Sequence, residues 1–301
     1  MRAAVLTRYG DVDALEIRDV PEPRVGPGKL KVRIAASSLN AIDWKLRSGA
    51  LRAWMPLELP AILGFDAAGE VVELGPGVAG FRVGDRVLGQ IRHGQAELAL
   101  ATPEQVAKVP QGLSPVEAAS IPIVALTGTQ LLEEAVAPAP GELVLVTGAL
   151  GGVGRYAIHA ARKRKVRVIA GVRKRQIGEA ASLGVERVVA VDDPGAVAEL
   201  PQLQGIADTL GGDTVVPLLA KLAPGGRLGS VVGEPPGARE RGVDVRAIQT
   251  HPDPDRLFEL AEELASGQVV VPIAGRFPLE QVREAFRVAE RGAGGKVLVT
   301  L

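Results

Sequence analysis

An apolar run that turns straight into glycines, and then into a second apolar stretch, constrains this chain more than any other feature of it. Leu143-Val144-Leu145-Val146-Thr147 reads as a strand buried on both faces, and Gly148-Ala149-Leu150-Gly151-Gly152-Val153-Gly154 as a tight turn. Tyr156, Ala157, Ala160 and Ala161 follow at helical spacing. Strand, glycine turn and helix in immediate succession place the N–H groups of a helix N-terminus at a sheet end, with no Cβ in the way. A pyrophosphate fits such a place: Gly151 and Gly152 supply the open backbone, and Gly154 lets helix and strand approach. The spacing is A-x-G-x-x-G, with Ala149 where the dinucleotide fingerprint has its first glycine. An ordinary tight turn is the plainer reading of a glycine cluster. The strand before and the helix after favour a dinucleotide site built on Ala149, Gly151, Gly152 and Val153.

The end of the following strand decides which dinucleotide is expected. An NAD site carries an acidic residue there, about 20 residues after the glycines, for the ribose 2′-OH. Here Val166-Arg167-Val168-Ile169-Ala170-Gly171-Val172 exits into Arg173-Lys174-Arg175, with no acid until Glu179. Cations at that point suit a 2′-phosphate, so NADPH is the expected cofactor, with Gly171, Arg173, Lys174 and Arg175 among its contacts. A solvated helix start is the plainer reading of the same run. The other basic run, residues 162–165, lies at the wrong end of the strand and reads as a cationic helix C-terminus.

Around the glycine turn, strands and helices alternate. Helices are expected over 152–164, 175–183 and 214–222, and strands over 166–172, 187–191 and 227–232. This pattern predicts an α/β fold with a doubly wound parallel sheet. Ser114-Pro115-Val116-Glu117 opens that part with an N-cap, a first-turn proline and an acidic first turn. Residues 1 to about 112 differ: Leu30-Lys31-Val32-Arg33-Ile34 alternates as a half-buried strand, and Glu70-Val71-Val72-Glu73-Leu74 runs into Gly75-Pro76-Gly77. Gly84-Asp85 likewise turns into a strand at Arg86-Val87-Leu88, so a β-rich, barrel-like unit is expected. In the tail, Asp253-Pro254 caps a helix carrying Leu257, Leu260, Ala261 and Leu264 on one face and stopped by Gly267. A second helix over 279–291 and a strand over 296–301 close the chain.

Composition removes several functions. With 35 basic and 35 acidic side chains the 301 residues carry no net charge, which gives no long-range attraction for nucleic acid or an anionic membrane. The longest uncharged stretch, residues 118–132, is 15 residues long and contains Pro122 and Gly128. A membrane span needs about 20. The opening Met1-Arg2-Ala3-Ala4-Val5-Leu6 is not a signal segment, so a soluble cytoplasmic protein is expected. Cysteine is absent and the three histidines, His93, His159 and His251, stand apart, so no metal site is expected. Asparagine occurs once, at Asn40, and methionine twice. Such depletion points to a heat-adapted source and singles out the surviving Asn40.

Several segments together resemble one family. Asn40-Ala41-Ile42-Asp43-Trp44-Lys45-Leu46-Arg47-Ser48-Gly49 is similar to the N-P-x-D-x-x-x-R-x-G segment of the medium-chain dehydrogenase/reductase superfamily. Leu63-Gly64-Phe65-Asp66-Ala67-Ala68-Gly69, Gly84-Asp85-Arg86-Val87 and Ala125-Leu126-Thr127-Gly128 resemble its next segments. Asp208-Thr209-Leu210-Gly211-Gly212, Leu222-Ala223-Pro224-Gly225-Gly226-Arg227 and Gly295-Lys296-Val297-Leu298-Val299 complete the series in the family's order. Gly64-Phe65-Asp66 stands where zinc members have Gly-His-Glu, so the chain resembles the zinc-free quinone oxidoreductase branch. The resemblance implies a groES-like catalytic domain from residues 1–112 and 250–301, and a Rossmann NADP(H)-binding domain over 113–249. It also implies a homodimer joined through the Rossmann domains. Thr127 then faces the nicotinamide, and Leu210, Gly211, Val231, Val232 and Gly233 line its ribose. Relative to the family, residues 192–206 are short, which points to a truncated crossover helix, and Lys45 replaces a common Tyr.

Without a metal, a carbonyl acceptor is polarised by hydrogen bonds while hydride leaves the nicotinamide. Asn40, Asp43 and Lys45 are the catalytic candidates. The Asn40 amide is able to donate to a ribose or to the substrate oxygen, or else serves a turn. Asp43 orients Lys45 or caps the local helix, and Lys45 is a proton donor or a solvated cation. Arg47 reads as structural. The expected function is NADPH-dependent quinone reduction. Reduction of the C=C bond of an enone or alkenal is the alternative, and an NADPH-binding sensor or RNA-associated protein with little turnover is the rival from another class.

Overall fold

In the computed structural model, which describes residues 1–301, the chain divides into two units: Met1–Ile123 with Pro252–Leu301, and Val124–His251. The second unit holds six strands: β1 (Leu143–Thr147), β2 (Arg167–Val172), β3 (Arg187–Ala190), β4 (Leu203–Asp208), β5 (Leu222–Ser230) and β6 (Asp244–Ala247). All pair in parallel, in the order β3-β2-β1-β4-β5-β6. The doubly wound sheet read from the strand–helix alternation is therefore present. Winding runs outward from β1 to β3 and then returns to β4, so β1 and β4 are neighbours whose connections leave in opposite directions. A crevice at their C-terminal ends follows from that topology.

Burial explains the order. Every residue of β1 is buried, as are the last five of β2, because helices cover both sheet faces. One face packs Val144, Val146, Val168 and Ala170 against Ala157, Ala160 and Ala161 of the helix Gly152–Lys163. The other packs Leu145, Ile169 and Ile206 against Val197, Val215, Leu218 and Leu219. The crossover from β3 to β4 keeps only the five-residue helix Pro194–Ala198, in line with the short segment there.

Four expected elements differ in detail. The helix read over 175–183 is broken into the turns Lys174–Gln176, Ile177–Ala180 and Ala181–Leu183, with Gly178 inside it and Gly184 in the left-handed region after it. The helix read over 214–222 is Gly212–Leu219, and β5 starts at Leu222 rather than at 227. The helix read over 279–291 opens as the 3₁₀ turn Leu279–Gln281 and continues as Val282–Glu290.

The first unit is β-rich. Arg2–Leu6 pairs antiparallel with Leu15–Asp19 and Ala61–Ile62. A larger sheet runs in the order Ile273–Pro278, Lys296–Thr300, Leu30–Ser38, Asp66–Leu74, Arg86–Gly89, Val106–Lys108, and Leu98–Ala101 also pairs with Leu30–Ser38. Leu30, Val32 and Ile34 point into a core with Val71, Val87 and Val106, while Arg33 stays exposed, as the alternation predicts. The tail belongs here: Leu298 pairs with Ser38 and Thr300 with Ala36. Phe286, Val282 and Leu279 join Leu6, Leu15 and Leu46 in a second core. No helix is long and apolar enough to cross a membrane.

Phe286 is wholly buried and carries the Arg47 guanidinium 5.5 Å from its ring centre. Truncation of a buried Phe costs about 3–5 kcal/mol. F286A is therefore expected to melt well below the wild type by calorimetry, and an unchanged melting temperature would contradict this placement of the tail.

Candidate functional site

Two constellations carry the site residues, one in each unit. In the parallel-sheet unit, the turn after β1 delivers Gly151 as the N-cap of the helix Gly152–Lys163. Gly151 is exposed, and the N–H groups of Gly152, Val153 and Gly154 have no acceptor within the helix. Gly148 adopts φ +59°, and a Cβ on Gly154 would lie 2.5 Å from the Gly148 carbonyl oxygen. Only glycine permits that turn and that approach. Ala149 is buried below the turn and Val153 is half-buried beside it. The open backbone is the kind of surface a pyrophosphate takes.

The β2 exit holds the cations. Gly171 and Val172 are buried, whereas Arg173, Lys174 and Arg175 are all exposed. Lys174 is held at both ends: its Nζ donates to Asp193 at 2.9 Å and its backbone N–H to Asp192 at 2.7 Å. The hydrogen bond to Asp193 holds the Lys174 ammonium above its ordinary range. Arg173 and Arg175 make no ion pair with the protein, so these two guanidinia are the ones open to an anion.

Past β4 and β5, Leu210 and Val232 are exposed apolar side chains, and Val231 is half-buried. Gly211 and Gly233 both take positive φ. Thr127 is buried, and its hydroxyl shares a hydrogen bond of 2.6 Å with Thr250 rather than with its own helix. Sequence reasoning passed over the residues that tie these turns together. Asp208, the last residue of β4, is fully buried and accepts from the Thr147 hydroxyl at the end of β1 and from the Ser230 hydroxyl at the end of β5. One signal was available: three neighbouring apolar strands each end on a small polar residue.

In the β-rich unit, Asn40, Asp43, Asp66 and Lys296 form a buried polar cluster. Asn40 Nδ2 donates to Asp66 Oδ2 at 2.8 Å, and its Oδ1 accepts from Lys296 Nζ at 2.7 Å. Asp66 also accepts from the Ser38 hydroxyl at 2.9 Å and from the Ile123 N–H at 2.7 Å. Both ends of the Asn40 amide are thus occupied within the protein. Asp43 does not reach Lys45; its Oδ2 accepts from the Asn40 N–H at 2.8 Å, which caps the helix Ala41–Ser48. Lys45 is exposed on that helix. Arg47 is buried, with a 2.6 Å ion pair to Glu290, and is structural.

Burial dominates the electrostatics of this cluster. It pushes the Asp43 carboxyl up to about 7, against the pull of the Asn40 N–H; Asp66 adds to the rise and Lys296 opposes it. Burial likewise raises Asp66 and lowers Lys296, each opposed by the attraction of the other. With its oxygens taken up by Asn40, Ser38, Ile123 and Lys296, Asp66 is a structural acceptor in this arrangement.

Comparison with known proteins agrees with this layout. Residues 26–163 match the alcohol dehydrogenase GroES-like domain, and residues 183–299 match the zinc-binding dehydrogenase family. The chain is 30% identical to a chloroplastic quinone oxidoreductase of Triphysaria versicolor, over 99% of this chain and 98% of that one. It is 37% identical to a chloroplast envelope quinone oxidoreductase homolog of Arabidopsis thaliana, over 67% of this chain and 64% of that protein's length. A mycobacterial structure complexed with NADPH superposes with a TM-score of 0.86 and 28% identity, covering 100% of both chains.

A carboxyl raised by burial has a definite effect on stability. Asp43 binds its proton more tightly folded than unfolded, so its contribution is fully present below its ordinary value of 3.8 and is lost as pH rises towards about 7. An amide at this position cannot ionise. D43N is therefore expected to gain on the wild type in melting temperature between pH 5 and pH 8; a constant difference would show that Asp43 does not titrate in that window.

Proposed function

The chain belongs to the quinone oxidoreductase branch of the medium-chain dehydrogenase/reductase superfamily, and from that premise we propose that it reduces quinones with NADPH. The observation that carries the proposal is the pairing of two anion sites at one end of the parallel sheet. The first is the uncapped glycine turn after β1, and the second is the pair Arg173 and Arg175 after β2. A dinucleotide with a 2′-phosphate presents two anionic groups, and the sequence supplies no acid between Val172 and Glu179 to favour a ribose hydroxyl.

The residues present fit that cofactor, because the N–H groups of Gly152, Val153 and Gly154 have no acceptor in their helix and Gly151, which precedes them, is exposed and carries no Cβ. When bound, the reduced nicotinamide supplies the hydride. The N–H groups of Gly152, Val153 and Gly154 hold the pyrophosphate, and Arg173 and Arg175 hold the 2′-phosphate. Lys174, tied to Asp193, shapes that loop rather than binding the anion. Leu210 and Val232 give the ring an apolar wall that excludes water.

A quinone accepts electrons readily, so the acceptor site has mainly to orient it and supply a proton. Asn40 and Asp43 fix the start of the helix Ala41–Ser48, and Lys45, exposed on that helix, delivers the proton to the reduced oxygen. The outer edge of β6 has no partner strand in the chain, which supports a homodimer through this unit.

The test follows absorbance of the reduced cofactor with NADPH and NADH against benzoquinone, naphthoquinone and enone acceptors, with product analysis. Hydroquinone formed with NADPH is the expected result. A saturated carbonyl as the only product would shift the reading to C=C reduction, and saturable NADPH binding with no turnover would make the protein a sensor. The double variant R173A/R175A is expected to raise KM for NADPH about tenfold or more, with KM for NADH unchanged. K45M is expected to lower kcat about a hundredfold, with the cofactor KM unchanged.

A further inference from the structure

We propose that Asp208 is a positioning residue of the nucleotide site, holding the turns after β1, β4 and β5 in one arrangement through its two carboxylate oxygens. The inference rests on the cofactor reading above. Asp208 ends β4 and is wholly buried. Its Oδ1 accepts from the Thr147 hydroxyl at 2.9 Å and from the N–H groups of Leu210 and Gly211, both at 3.1 Å. Its Oδ2 accepts from the Ser230 hydroxyl at 3.0 Å. The ends of three adjacent strands therefore meet at one side chain.

Proton directions in this lattice are fixed. The Thr147 hydroxyl gives its only proton to Asp208, which leaves a lone pair to accept the Thr209 N–H at 2.8 Å. Ser230 does the same, donating to Asp208 and accepting the Val232 N–H at 3.2 Å. Thr209 completes the circuit by donating its own hydroxyl to the Thr147 carbonyl at 2.9 Å. The four bonds that end on Asp208 require only acceptor oxygens there, and its carboxylate supplies two.

The lattice acts on the turns rather than on the sheet, whose strands pair through their own backbone. The hydroxyl of Thr209 lies over Gly148, where a Cβ would meet it at 2.3 Å. Gly211 sits equally close to Val232, with 2.6 Å between its missing Cβ and a Val232 methyl. The glycine turn, the turn bearing Leu210 and the turn bearing Val232 are thus interlocked, and Asp208 bonds to the ends of all three strands. Packing holds Leu210 and Val232 only in part, Leu210 against Gly148 and Val232 against Gly211, since both side chains remain partly exposed. Their positions depend on the hydrogen bonds beneath.

Thr147→Val removes the hydroxyl at constant shape, taking a donor from Asp208 and an acceptor from Thr209; Thr147→Ser keeps both. The full-length T147V, T147S and D208N proteins are titrated with NADPH by nicotinamide fluorescence, with melting curves and amide hydrogen exchange recorded alongside. T147V and D208N are expected to melt cooperatively and to weaken NADPH binding about tenfold, with acceptor KM little changed, while T147S binds close to wild type. Variants that melt cooperatively and bind NADPH as the wild type does would overturn the proposal. Should D208N fail to fold, the T147V and T147S pair decides. A wild type that does not bind NADPH would instead sink the cofactor reading, and hydrogen exchange then decides whether Asp208 orders the turns. Faster exchange across residues 148–152, 209–212 and 231–233 in T147V than in T147S upholds that ordering, and equal exchange removes it.

Discussion

A strand with no exposed side chain has to be covered on both faces and paired on both edges, and β1 is such a strand. Its five residues are buried, with β2 on one side and β4 on the other, both parallel to it. A parallel neighbour is reached only through a crossover, which puts helices on the sheet faces and supplies the cover β1 needs. The chain winds outward to β3 and has to return past its starting strand to place β4. The crevice is the geometric consequence of that return, and the glycine turn stands at its edge because it is the exit from β1. Burial of one apolar strand thus determines where a nucleotide can bind.

A different constraint organises the β-rich unit. Two carboxylates, one ammonium and the single asparagine are buried together, and each is tolerated only through its partners. Removing one partner from such a group costs about 3–5 kcal/mol, because a charge is left without compensation. Lys296 reaches Asn40 and the Leu39 carbonyl, so the last strand, the strand Leu30–Ser38 and the helix Ala41–Ser48 are tied at one point. Lys45 is thereby carried on a helix whose start is fixed. The Asn40 amide contributes by holding this point, and the composition that preserved one asparagine preserved it where both ends of an amide are needed.

Local chemistry was legible in the sequence. The glycine turn, the cations after β2 and the Ser114–Glu117 capping box each depend on residues a few positions apart. What escaped depends on distance along the chain. Thr147 and Asp208 are separated by 61 residues, and Asn40 and Lys296 by 256. No spacing rule joins them, and only the paired sheet and the folded tail bring them together. Asp43 shows the same limit: its approach to the Asn40 N–H was one of two local options, and burial, with Asp66 close by, gives it a raised pKa that no neighbour in sequence implies.

The reaction proposed for this chain is hydride transfer from NADPH to a quinone. The most direct measurement is the rate of NADPH oxidation by a quinone, compared between unlabelled NADPH and NADPH carrying deuterium on one or the other face of C4. Slower turnover for deuterium on one face only is expected, with hydroquinone as the product. Turnover that is insensitive to deuterium on either face under conditions where chemistry limits the rate, or no turnover at all, would contradict it.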